Sequence, residues 1–125
     1  MNAQEASAIF SSEAHSAMMG RHQITEIHNF KESLANQAVA QARSMVKEIE
    51  KRQLDLSSRL VLNAAAAMGV LMTKHQLTEL PALRDSISKQ AVDHASSVIA
   101  RFKTVEEEDA EIAANNGRPL VRAHA

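Results

Sequence analysis

His22 and Glu26 stand one helical turn apart, and His28 follows two residues later. Imidazole and carboxylate on one helix face are zinc-ligand types, so the pair offers two ligands of the four a closed site needs. The chain has no Cys to complete it. Di-metal helical bundles carry paired Glu-x-x-His motifs, and metalloproteases carry His-Glu-x-x-His. Neither motif occurs here. The residues favour a solvated polar face, and no metal or other cofactor is expected.

Other candidates for chemistry fail in the same way. His28-Asn29-Phe30-Lys31 resembles the His-x-x-Lys of histidine phosphotransfer domains, which are helical bundles of comparable size. In that family a Gly follows the Lys; here Glu32 does, and its charge would repel an incoming phosphoryl group. Gly20, Gly69 and Gly117 are isolated, so there is no phosphate-cradling loop. Ser57 and Ser58 lack a nearby His–acid pair, and without Cys there is no thiol nucleophile. The expected protein is not an enzyme. Met45, Met68 and Met72 fall on or near an apolar stripe, where core filling is the first reading and a plastic apolar surface the second.

Composition narrows the class of partner. Fourteen basic and fifteen acidic residues give a net charge of −1, which argues against a general nucleic-acid binder with its basic face. There is no polybasic segment for anionic lipid. The first residues lack the basic and apolar regions of a signal peptide, so a cytoplasmic protein is expected. Ala, Gln, Glu, Lys, Leu and Met dominate, while Phe10, Phe30 and Phe102 are the only aromatics. These are strong helix formers with few bulky core residues, which predicts an elongated all-α protein.

The elements that would position any site follow from periodicity. Residues 1–20 read as a short helical or flexible arm, with Ala6, Ile9, Phe10, Ala14, Ala17 and Met18 at roughly helical spacing before Gly20. Residues 21–105 read as the helical domain. Its first stripe passes through Ile27, Phe30, Leu34, Ala38, Ala42, Met45 and Ile49. The stripe lapses at Lys51-Arg52-Gln53-Leu54-Asp55, where Asp55 or Ser57 would cap a new helix. Whether 21–74 is one helix or two stays open. From Leu60 to Met72 the chain is apolar except for Asn63, too short for a bilayer span and apolar on nearly every side. There Ala64 to Ala67 allow close helix approach, and Leu60, Leu62, Val70 and Leu71 supply contact area. A turn around Lys74–Pro81, with Thr78 as a cap, leads to the cleanest amphipathic helix: Leu80, Leu83, Ile87, Ala91, Ala95, Val98, Phe102 and Val105. Residues 106–125 read as a tail, with an acidic run that briefly continues the helix until Asn115-Asn116-Gly117-Arg118-Pro119 stops it.

Over about residues 30–105 the order of elements resembles the phasins, which coat polyhydroxyalkanoate storage granules in bacteria. The resemblance rests on a long Ala- and Gln-rich helix from Phe30 to Lys51, on Gln53-Leu54-Asp55-Leu56 leading into an Ala-rich segment, and on Thr78-Glu79-Leu80 with Leu83 before an amphipathic helix ending near Phe102. It implies adsorption rather than catalysis. The apolar interaction surface would comprise Leu56, Leu60, Ala64, Met68, Leu71, Leu80, Leu83, Ile87, Ala91, Val98 and Phe102, with charged faces turned to water. In free protein these faces would pair in a homo-oligomer, as an antiparallel hairpin or bundle with coiled-coil character. The alternative is a helical interaction module with a protein partner, such as a secretion-type chaperone or a self-assembling polymer subunit. Neither reading involves nucleic acid or a transmembrane segment.

Overall fold

The computed structural model describes residues 1–20 and 24–116, with side chains for all of these except 24–29 and 116. Four helices form: α1 (Ala3–Met19), α2 (Ile24–Lys51), α3 (Ser58–Thr73) and α4 (Leu80–Asn116). No strand occurs among the described residues. The all-α class expected from composition is what the chain adopts.

Local chemistry sets the helix ends. At α1 the Asn2 side chain accepts from the Glu5 N–H at 2.8 Å, and the Glu5 carboxylate accepts from the Asn2 N–H at 3.1 Å. This reciprocal box satisfies two N–H groups that the helix start leaves free. The open question over 21–74 resolves as two helices. At the end of α2 the Gln53 N–H reaches the Glu50 carbonyl and the Leu54 N–H reaches that of Ile49. Gln53 takes φ 57°. That is a Schellman closure, with Gln at the left-handed position usually held by Gly. Of the two candidate caps for α3 it is Ser57 whose hydroxyl accepts from the Leu60 N–H, at 3.1 Å. At the corner before α4 the side chain engaging the backbone is Glu79, which accepts from the Gln76 N–H at 2.8 Å; α4 itself opens at Leu80.

The helices surround one core. α1 packs on α2 and α3, and α4 packs on α2 and α3. α1 and α4 therefore face each other across the bundle axis, as do α2 and α3. Contacts from Gln41 to Ser88 and from Arg52 to Asp93 advance in the same sense, so α2 and α4 run parallel. Arg59 meets Phe102 and Glu106, whereas the groove further along α3 pairs Val70 and Lys74 with Gln90 and Asp93, so α3 and α4 run antiparallel. The helical bundle expected from sequence therefore pairs α3 with α4 antiparallel and sets α2 alongside α4 in the parallel sense.

α1 is more firmly held than the sequence suggests. Ala6, Phe10, Ala14 and Met18 are all buried, in the same cluster as Leu34, Met45, Ile49, Val61, Met68 and Val92. Ser11, which lowers helix propensity, donates to the Ser7 carbonyl within the helix. At the other end α4 runs on past its neighbours. Residues 106–114 are helical and exposed throughout, so the acidic run belongs to a long helix. The described part of α4 ends at Asn116; the expected stop at Asn115-Asn116-Gly117-Arg118-Pro119 and the rest of the tail, 117–125, lie outside the described residues.

Candidate interaction surfaces

Of the eleven residues assigned from sequence to an apolar interaction surface, most lie inside the bundle. Leu60, Ala64, Met68, Leu80, Ile87 and Ala91 are core residues, and Leu56, Leu71 and Leu83 pack against them. Only Val98, partly buried, and Phe102, 49% exposed, remain at the surface. The reason is α1. Its four buried positions complete a core that seemed too thin, so the stripe is covered within one chain.

What the sequence reading missed is the outer side of α3. Leu62 and Val70, expected to supply core contact area, are 57% and 58% exposed. They flank the exposed Ala66 at spacings of four, which puts all three on one outward face. From Leu60 to Thr73 the helix carries no charge. Alongside it a groove between α3 and α4 is floored by Ala67 and Leu71 and rimmed by Asn63, Gln90, Asp93 and His94. The signal was present: a helix apolar on every side must leave part of its surface uncovered at the edge of a small bundle.

A second apolar area lies on α4. Val98, Phe102 and Val105 line a shallow hollow with the stem of Arg101. The Arg59 guanidinium stands 5.5 Å from the Phe102 ring centroid and 3.1 Å from the Glu106 carboxylate. One turn beyond the acidic run, Ile112 is exposed as well.

Between α2 and α4 the contact is polar. The Gln41 side chain is buried and donates to the Arg84 carbonyl at 3.1 Å and to the Ser88 hydroxyl at 2.9 Å. Ser88 donates to Ser44, and Ser44 to the Asp85 carboxylate, each at 2.8 Å. Just past α2, Arg52 bridges Glu48 and Asp93 and donates to the Lys89 carbonyl. The hydrogen bonds it donates to Asp93 first, then to Glu48, hold its guanidinium above its ordinary pKa. These contacts tie α2 to α4. Ser57 is spent on the α3 cap and Ser58 is exposed.

Among the described residues no group of three or more His, Asp or Glu is placed to hold a metal. His22 and the side chains of Glu26 and His28 lie outside the described residues, so the paired-ligand and His-x-x-Lys candidates reduce to Lys31, which is exposed. No helix of the described residues is long and apolar enough to cross a membrane. Comparisons with protein-family models, with curated proteins and with solved structures give no match for this chain.

Proposed function

We propose that this protein is a non-catalytic coat that adsorbs through apolar helix faces, of the phasin-like kind that covers polyhydroxyalkanoate granules. The observation that carries the reading is the outward face of α3, where Leu62, Ala66 and Val70 form an uncharged strip on an otherwise well-filled bundle. Covering such a strip is favourable by roughly 25 cal/mol per Å2, whatever apolar phase does it. Adsorption by this route leaves the core closed. It replaces the surface anticipated from sequence, which would require the bundle to open. The polyester as the phase comes from the resemblance of the element order, and the charged outer positions of α2 and α4 would keep coated particles apart.

The test pairs two measurements. Purified protein should bind polyester particles, and Leu62→Asp/Val70→Asp should lower bound protein about tenfold or more while helicity is kept, because each change sets a charge in the contact. In a granule-forming host the protein should sediment with granules. Recovery entirely in the soluble fraction, or binding indifferent to the double substitution, would overturn the reading. A protein-interaction module is the competing function; the α3/α4 groove, floored by Ala67 and Leu71, favours it. One stoichiometric partner bound in that groove, with no affinity for particles, would establish it.

A further inference from the structure

The groove between α3 and α4 has the size and the lining of a small-molecule site. Its volume is about 630 Å3, inside the roughly 300–1,000 Å3 of ligand pockets. The α3 side is apolar, formed by Ala66, Ala67, Val70 and Leu71. Asn63 and Lys74 mark its ends, about 16 Å apart along the helix axis. Charge then decides what can lie there. Of the carboxylate and ammonium groups on the groove, Asp93 is held by the Arg52 guanidinium at 2.5 Å, so its charge is met within the chain. Lys74 is exposed, and among the described residues no carboxylate stands within ion-pair distance of its ammonium. From Leu60 to Thr73 α3 adds no other charge. The groove is therefore apolar along its length and carries one uncompensated positive charge at one end.

We propose that this groove binds a free aliphatic carboxylate, its chain along Ala66, Ala67, Val70 and Leu71 and its head on Lys74. Removing the chain from water supplies the affinity. The charge-assisted hydrogen bonds from the ammonium fix which way the molecule lies. An uncharged chain would cover the same apolar side chains and leave Lys74 unmet, and a small anion would meet Lys74 and leave the apolar side uncovered. The complementary ligand has both parts. The site does not depend on any granule. Ala66 and Val70 border both the groove and the α3 strip, whereas Leu62 belongs to the strip alone and Lys74 to the groove alone. The two readings therefore fail separately.

Isothermal titration calorimetry on the purified full chain tests the proposal, with decanoate as the probe, kept below the concentration at which it forms micelles. One decanoate should bind per chain. Decanol, which lacks the charge, and butyrate, which lacks the chain, should each bind about tenfold more weakly or worse. Lys74→Gln should raise the decanoate dissociation constant about tenfold and erase the preference over decanol, and Lys74→Arg should keep both near wild type. Ala67→Phe sets a ring on the groove floor and should abolish binding; Lys74→Gln, at an exposed position, keeps the test valid if that variant unfolds. Leu62→Asp should lower particle adsorption and leave decanoate affinity unchanged, whereas Lys74→Gln should do the reverse. A chain that shows no saturable decanoate binding would overturn the proposal. So would butyrate or decanol binding as tightly as decanoate, an affinity indifferent to Lys74→Gln, or binding that survives a folded Ala67→Phe variant undiminished.

Discussion

Three residues show how particular side chains hold this bundle. Gln53 occupies a left-handed position that costs a non-glycine residue about 1 kcal/mol. Gln53→Gly should therefore stabilise the protein by about 0.5–1 kcal/mol in urea unfolding, whereas Gln53→Val should destabilise it by at least as much. Ser88 is fully buried and links Gln41 to Ser44. Ser88→Ala removes an acceptor from one partner and a donor from the other, and should cost about 1–3 kcal/mol by the same measurement. Arg52 is the contrasting case: it binds two carboxylates but sits near the surface, so its loss should cost no more than about 1 kcal/mol. Sequence marked the Gln53 region as a weak point because the apolar stripe lapses there. It did not mark Gln41 or Ser88, since a buried polar pair has the composition of a solvent face.

Each helix has its own relation to the core. α1 looked loose because its mean apolar content is modest, yet its four buried positions face two other helices at once. Phe10→Ala should cost about 3–5 kcal/mol, the range for emptying a large buried side chain; a loss below 1 kcal/mol in thermal unfolding would mean that α1 is a dispensable arm. Within α3, Ala65 and Val70 behave differently. Ala65 is buried and Val70 is not. Ala65→Asp should unfold the chain or destabilise it by about 3 kcal/mol or more, by burying a charge, whereas Val70→Asp should stay within about 0.5 kcal/mol of wild type. Gly69 is a third kind of site. A Cβ there would come within 3.2 Å of the Cγ of the half-buried Glu13, so Gly69→Ala sets up to about 1 kcal/mol of helix propensity against displacing that side chain, and the sign of the change in urea unfolding reads which is larger. Periodicity made α2, the amphipathic start of α4 and their inward faces legible. It left the outer face of α3 unassigned, because an all-apolar helix has no polar side to mark what faces water.

At the scale of the molecule, α4 divides the chain into a closed bundle and a projecting rod. Its 37 residues span about 55 Å, of which the bundle covers the first part. Removing everything after Val105 should leave the melting temperature within a few degrees of the full chain; a large loss of stability would show that the rod supports the core. The all-helical class could be read from composition alone; the helix count after Gly20 could not, because the lapse of the apolar stripe at Lys51–Asp55 fits either a bend or a break. The pairing of helices could not, because α2 on α4 and α1 on α3 depend on contacts far apart in the sequence, which periodicity does not encode.

The six-residue link from Arg52 to Ser57 has a kinetic consequence. It joins two helix pairs, α1 with α2 and α3 with α4, each closed through a short connection. Local closure of this kind is fast, so each pair should form early, and the slower event should be their docking through α2 on α4. Under that order the Gln41–Ser88 contact forms only as the pairs dock, whereas the contacts Phe10 makes within the first pair are in place beforehand. In stopped-flow experiments Phe10→Ala should therefore shift a larger share of its destabilisation into the refolding rate than Ser88→Ala does.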